Sequence, residues 1–300
     1  MSFASDTKTE LCRVPISKPC CQKAELYGVL LFCNTFSASE LRLITEHRGF
    51  LLRAEKLLKR AADLGCDEKR DEDSGMRSLL IRSPEKLRTL RALYGVEPER
   101  NPAHHVNLGV LEEDCCRTSF LRGAFLAGGS VTSPRKSYHL ELITGHYNVS
   151  REVEALLGEM GFRPGRVARS GNYVLYFKQS ELIEDLLTLL GAPQAALELM
   201  GAKVEKEVLN GVNRRLNCDE ANLEKTVNAS QAQLAAIRSL RESGRLDSLS
   251  PKLREAALLR EEHPELNLSQ LASLAQPPVT KSTLNYRMKK LAELAGEAPD

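Results

Sequence analysis

The chain has 300 residues, enough for two domains with buried cores, and its 42 basic residues against 40 acidic ones leave a net charge of only +2. It is therefore no polycation, and any nucleic-acid surface has to be local. No apolar run reaches the roughly 20 residues needed to span a bilayer. With no signal peptide, the eight cysteines read as reduced thiols of a cytoplasmic protein. They include two adjacent pairs, Cys20-Cys21 and Cys115-Cys116, but no Cys-x-x-Cys. That spacing predicts no metal site, and no cofactor is expected.

Met1–Pro19 shows no strong period and leads into a first helix, expected over about Cys20–Phe36, with Leu26, Leu30 and Cys33 at helical spacing. Glu40–His47 alternates in part and suits a strand, and Leu51–Leu64 returns to helical period through Leu51, Ala54, Leu58 and Ala61. The charged run Cys66–Gly75 reads as a solvated loop. Met76–Arg82 is a strand candidate. Ser83 then caps a helix that carries Pro84 at its first position and ends near Tyr94-Gly95.

The second half repeats this order. Ser119–Val131 is a helix with Leu121, Phe125 and Leu126 on neighbouring stripes and small residues at Gly123 and Ala127, which let another helix approach closely. The partner is the related stretch Leu26–Asn34, about one repeat upstream. Ser137–Thr144 is a strand whose Leu-Glu-Leu-Ile-Thr (140–144) echoes Leu-Arg-Leu-Ile-Thr (41–45). Helices over Arg151–Met160 and Glu181–Leu190 close at Gly161 and Gly191, and Tyr173–Lys178 is a strand between them. The pattern predicts an internal duplication, with repeats at about 20–96 and 115–192 inside a domain covering 1–205.

Residues 206–218 are polar, mixed in charge and contain the turn signal Asn210-Gly211, so they read as a linker or a partly helical bridge. A helical domain, 219–300, follows. Asp219 caps a long helix with Leu223, Val227, Leu234, Ile237 and Leu240 on one side, ended by Gly244. Ser250-Pro251 opens another, which closes before His263-Pro264. At about 268–295, Ser269 caps a short helix, Gln270–Ala275, that buries Leu271 and Leu274. Gln276-Pro-Pro-Val279 stops it. Thr280 caps a last helix with Leu284, Met288, Leu291 and Ala295 inward. Lys281, Ser282, Thr283, Asn285, Tyr286, Arg287, Lys289 and Lys290 form its polar, basic outer side. Short helix, turn and longer helix make a helix-turn-helix. From Leu268 to Ala295 four basic residues face one acid, Glu293, so phosphate attraction is concentrated there.

The duplicated helices and strands resemble the LAGLIDADG homing-endonuclease fold, in which two such helices pack at a pseudo-twofold axis. The wider chain resembles the bacterial WhiA family of sporulation and cell-division regulators. Lys18-Pro-Cys-Cys-Gln-Lys-Ala-Glu-Leu26, Phe120–Val131, Asn213-Arg-Arg-Leu-Asn-Cys218 and Pro277–Arg287 carry that resemblance. It implies an α+β protein: a duplicated LAGLIDADG-like domain followed by an all-α helix-turn-helix domain. It implies a nucleoid-associated transcriptional regulator of cell division, chromosome segregation and sporulation. Duplex DNA is the implied partner, with RNA polymerase or another regulator beside it.

A LAGLIDADG nuclease needs an acid near the end of each motif helix, because the two carboxylates hold the divalent metals that activate water. The motif matched onto this chain puts Cys33 and Gly128 at those positions. The nearby acids Glu25 and Glu113 read as surface charges. The expectation is a non-enzyme. The sheet faces, with Arg42, Arg77, Arg82, Arg163, Arg166, Arg169 and Lys178, suit either groove binding or protein docking. The acidic run Asp67–Asp73 opposes phosphate. The rival reading is a catalytically dead scaffold that recruits proteins, with DNA contact secondary.

Overall fold

The computed structural model describes residues 2–71, 75–96 and 103–296, so Glu72 and Asp73 of the acidic run lie outside it. The chain falls into two compact units, Met1–Lys206 and Glu207–Asp300. It is a mixed helix and sheet protein with a helical C-terminal unit, the class the sequence predicts.

In the first unit two helices, α2 (Pro19–Phe32) and α5 (Asp114–Gly128), make the most extensive contact between any two elements. All of Ala24–Phe32 is buried in α2, so the helix is enclosed all round rather than amphipathic. Each repeat adds a four-stranded antiparallel sheet. The first contains β1 (Thr35–Phe36), β2 (Leu41–Thr45), β3 (Glu68–Asp71) and β4 (Arg77–Ile81) in the order β1-β2-β4-β3. The second contains β5 (Gly129–Val131), β6 (Leu140–Thr144), β7 (Gly165–Arg169) and β8 (Asn172–Phe177) in the matching order β5-β6-β8-β7. Helices α3 (Arg48–Ala62), α4 (Pro84–Leu93), α6 (Tyr147–Glu159) and α7 (Ser180–Leu190) complete the repeats. Gly191 ends α7 at φ +100°, a left-handed conformation that suits glycine.

Several expectations need correction. The first nineteen residues contain a helix, α1 (Phe3–Arg13), that buries Phe3, Thr7 and Leu11 four residues apart. The expected helix over Cys20–Phe36 stops at Phe32, and Thr35-Phe36 is a strand. The Ser119–Val131 helix begins at Asp114 and gives way to β5 at Gly129. The charged run read as a loop contains β3, and β7 was not foreseen. Both are outer strands paired on one side only, where charged residues protect an open edge.

A single helix, α8 (Pro193–Glu242), runs through 206–218, so Asn210-Gly211 is no turn and Asp219 is no cap. Ile237 and Leu240 are buried as expected, whereas Leu223 and Val227 are exposed. The core of the second unit gathers those two residues with Leu246, Ala256, Ala257, Leu271, Leu284, Met288 and Leu291. They come from the end of α8, the turn after it, and α9 (Pro251–Glu262), α10 (Leu268–Leu274) and α11 (Lys281–Gly296).

Candidate nucleic-acid interface

In the second unit α10 and α11 are joined through residues 275–280, and Val279 donates its amide to the Ala272 carbonyl at 3.0 Å to close the turn. The cap of α10 is Asn267, not Ser269. Its side chain accepts from the Ser269 and Gln270 amides at 2.9 and 3.1 Å, and the Gln270 side chain accepts from the Asn267 amide at 3.1 Å. This reciprocal box satisfies three otherwise orphaned amides. Leu271 is buried, but Leu274 is largely exposed. Thr280 caps α11 as expected, accepting from the Thr283 amide at 3.2 Å.

The inward stripe of α11 is Leu284, Met288 and Leu291, with Ala295 partly buried beside them. Lys281, Ser282, Thr283, Tyr286 and Lys289 are exposed, and Asn285 and Lys290 half-exposed. Tyr286 is 68% exposed, an aromatic ring with no packing reason to face water. Lys290 pairs with Glu293 at 3.1 Å on its own helix.

Arg287 departs from the expected outer face. It is buried, and its Nη1 meets Glu255 of α9 at 3.1 Å, while the other oxygen of that carboxylate accepts the Gln276 amide at 2.8 Å. One acid thus fixes α9, the turn and α11 together. Arg260, 2% exposed, does the same for the α9–α10 connection by donating to the carbonyls of His263 and Leu266 and to the side chain of Gln233. Two arginines that composition would count as DNA ligands are therefore spent on holding the helices of this unit together. Conversely, Lys225 of α8 joins Asn267, Ser269 and Lys281 around a cleft of about 390 Å³ beside the start of α11. Sequence reasoning missed it, because its residues, Arg260 of α9 among them, come from four elements.

In the first unit the two motif helices touch backbone to backbone. A Cβ on Gly28 would lie 2.0 Å from the Phe120 carbonyl oxygen, and one on Gly123 would lie 2.1 Å from that of Glu25. These glycines are 95 residues apart, as are Cys33 and Gly128. Cys33 is a neutral thiol: burial pushes its pKa up to about 12, and it donates to the carbonyls of Leu30 and Thr35. At Gly128 a Cβ would fall 2.3 Å from the Ile143 carbonyl oxygen, so the backbone has no room for a carboxylate there. Neither position offers a hard oxygen ligand from its side chain.

Glu25 is no surface charge. It is 2% exposed and clamped by Arg53, at 2.5 and 2.9 Å, and by Arg122, at 3.3 Å. Glu113 is exposed, at the cap of α5. On the sheets, Arg42 and Arg82 both bind Glu40, Arg70 and Arg82 meet Glu68, and Arg166 meets Glu154. Arg77 donates to the Glu46 and Gly75 carbonyls, and Lys178 lies over the Tyr176 ring. Arg163 and Arg169 are exposed. With Arg77 also 3.2 Å from Asp71, four of the seven basic residues expected on the sheet faces, Arg42, Arg77, Arg82 and Arg166, are paired with an acid. Among the described residues, no helix is long and apolar enough to cross a membrane.

Residues 212–295 match the model of the WhiA C-terminal HTH domain, and residues 117–209 that of the WhiA LAGLIDADG-like domain. A "Probable cell division protein WhiA" from Ruminiclostridium cellulolyticum is 34% identical across 98% of this chain and 97% of its own. The chain belongs to the WhiA family. A second WhiA relative, from Carboxydothermus hydrogenoformans, is 37% identical over 98% of this chain and 97% of its own. Full-length DUF199/WhiA from Thermatoga maritima superposes with a TM-score of 0.61 at 25% identity and full coverage of both chains. The N-terminal LAGLIDADG domain of DUF199/WhiA shares the fold over 63% of this chain and 90% of its own, with a TM-score of 0.52 at 22% identity. The WhiA resemblance drawn from short motifs thus holds over nearly the full length, and the LAGLIDADG-like and helix-turn-helix units are those of that family.

Proposed function

We propose that this WhiA-family chain is a sequence-reading DNA-binding regulator of transcription that serves cell division, chromosome segregation and, where it occurs, sporulation. It acts in the cytoplasm on the nucleoid and has no nuclease activity. The observation that carries the reading is the solvent face of α11, where Lys281, Ser282, Thr283, Asn285, Tyr286 and Lys289 stand free of the core on a helix locked from behind by Arg287 and Glu255. A rigid helix with amide, hydroxyl and ammonium groups outward suits the major groove. In this reading Lys225 and Lys281 border a seat for the DNA backbone, which positions the helix without reading sequence. Arg287 is withdrawn from the set of base or phosphate ligands, and Lys290, held by Glu293, serves as a weaker one.

The test starts with selection of duplexes from a random pool by the full-length chain, followed by titration of the enriched duplex and of random DNA over a series of salt concentrations. Lys289→Ala is expected to weaken binding to both and to reduce the log–log salt slope by about 0.9, one phosphate contact. An unchanged slope removes Lys289 from the interface. No enrichment of any duplex overturns the proposal.

A second reading concerns the first unit. The pairing of Arg42, Arg70 and Arg82 with Glu40 and Glu68 favours protein docking over groove binding for its first sheet, with RNA polymerase or another regulator as the partner. The same unit is expected to leave supercoiled plasmid intact in magnesium or manganese, because Cys33 and Gly128 supply no carboxylates. Cys33→Asp alone is expected not to create cleavage, since the backbone at Gly128 excludes the second acid. Metal-dependent cutting by wild-type chain that survives further purification, and is lost in a folded point variant of this unit, contradicts this.

A further inference from the structure

Spacing along the chain hides the relation between the two cysteine pairs. Cys20 and Cys21 occupy the second and third positions of α2, and Cys115 and Cys116 the second and third positions of α5. The duplication brings these equivalent helix starts together. The sulfurs of Cys20, Cys115 and Cys116 all lie within 4.8 Å of one another, and that of Cys21 lies 4.0 Å from Cys20. Among the described residues this is the one group of three or more cysteine, histidine or acidic side chains placed to hold a metal ion. Cys20 is exposed, Cys115 intermediate and Cys116 buried, so the cluster opens to solvent on one side and ends in the core on the other.

The geometry points to a thiolate site for a soft, filled-shell divalent cation of the zinc type, held by Cys20, Cys115 and Cys116 with Cys21 as fourth ligand. Sulfurs sit about 2.3 Å from zinc, and so about 3.8 Å from each other around a tetrahedral ion. The separations among Cys20, Cys115 and Cys116, all within 4.8 Å, exceed that by no more than about 1 Å. Cys21 now spends its thiol on the Cys115 carbonyl at 3.6 Å, a contact it gives up on joining the ion. Burial raises the Cys116 pKa to about 12, so the cation has to displace a proton there, as at any thiol-derived site. A metal so placed joins the starts of α2 and α5 and fixes one repeat against the other.

The test uses the full-length chain, purified under reductant and chelator and shown by thiol titration in denaturant to carry all eight free cysteines. Zinc alone is added and its uptake measured against a chromophoric chelator. Cobalt then replaces it as a spectroscopic probe. The expected results are one ion per chain, thiolate-to-cobalt charge-transfer bands, and an upward shift of the thermal transition. Cys20→Ser, at an exposed position, and Cys115→Ser, at a partly buried one, are expected to lose stoichiometric uptake while circular dichroism stays unchanged. Cys66→Ser and Cys218→Ser are expected to retain it. Absence of stoichiometric uptake by the reduced chain overturns the proposal. So does uptake that persists in the Cys20→Ser, Cys115→Ser double variant, or that disappears with Cys218→Ser.

Discussion

Glu25→Ala is expected to cost the first unit about 3–5 kcal/mol, the loss seen when one partner of a buried ion pair is removed. The carboxylate lies between two guanidinium groups, Arg53 with 4% and Arg122 with 10% of the side chain exposed. Arg53 also donates to the carbonyls of Cys12 and Val14, and Arg122 to that of Leu190. Through these arginines the acid ties together α2, α3, α5, the end of α1 with the residue after it, and the end of α7. Without it two buried positive charges face each other with only carbonyls for company. Glu25→Gln keeps the shape and some hydrogen bonding, so a smaller loss is expected. Chemical denaturation followed by circular dichroism reads both. A loss below about 1 kcal/mol for the alanine variant would mean that water reaches these arginines and screens them.

Gly28→Ala is expected to destabilise by about 3 kcal/mol, at the upper end for overpacking, because the obstruction is backbone and not a movable side chain. The added methyl would stand 2.0 Å from the Phe120 carbonyl oxygen, forcing α2 and α5 apart along their whole contact. Gly123→Ala meets the Glu25 carbonyl in the same way and is expected to match it. Gly211→Ala is the internal control. That glycine lies inside α8 with nothing within 4 Å of the added methyl, so helix propensity alone predicts a gain of about 0.5–1 kcal/mol. The same substitution should therefore change sign between the packed helices α2 and α5 and the open stretch of α8. Equal and small effects at all three sites would contradict the close approach.

The axis of the fold was legible because its features recur about one repeat apart: the helix with small residues at Gly123 and Ala127, the related stretch Leu26–Asn34, and the two Leu-x-Leu-Ile-Thr strands. What escaped were elements whose burial is partial. β3 and β7 are charged edge strands, so their pattern resembles a loop. In α1 the middle residue of the buried stripe is Thr7, which donates its hydroxyl to the Phe3 carbonyl at 2.8 Å, and a polar residue there breaks the apolar period. The Asn210-Gly211 pair favours a turn locally, yet α8 continues through it, its other residues outweighing one glycine.

The site was legible in outline only. Phase places Arg287 three residues after Leu284 and beside Met288, on the inward stripe, but its charge argued for the outside. Glu255, more than thirty positions earlier, decides the matter. For Glu25 the same holds: its partners Arg53 and Arg122 lie on other helices, and no local pattern reveals them. Long-range pairing of charges is the part of this molecule that sequence periodicity does not encode.

The most direct measurement of the central claim, that α11 reads DNA, compares Asn285→Ala with wild type on the enriched duplex and on random DNA. Asn285 offers a base edge both a donor and an acceptor, a pairing suited to adenine. It is half-exposed and outside the buried stripe of α11, so the fold should survive, as circular dichroism and thermal melting will show. A loss of about 1–3 kcal/mol on the enriched duplex, with random binding unchanged, is the predicted result. An equal loss on both duplexes, or none on either, would contradict it.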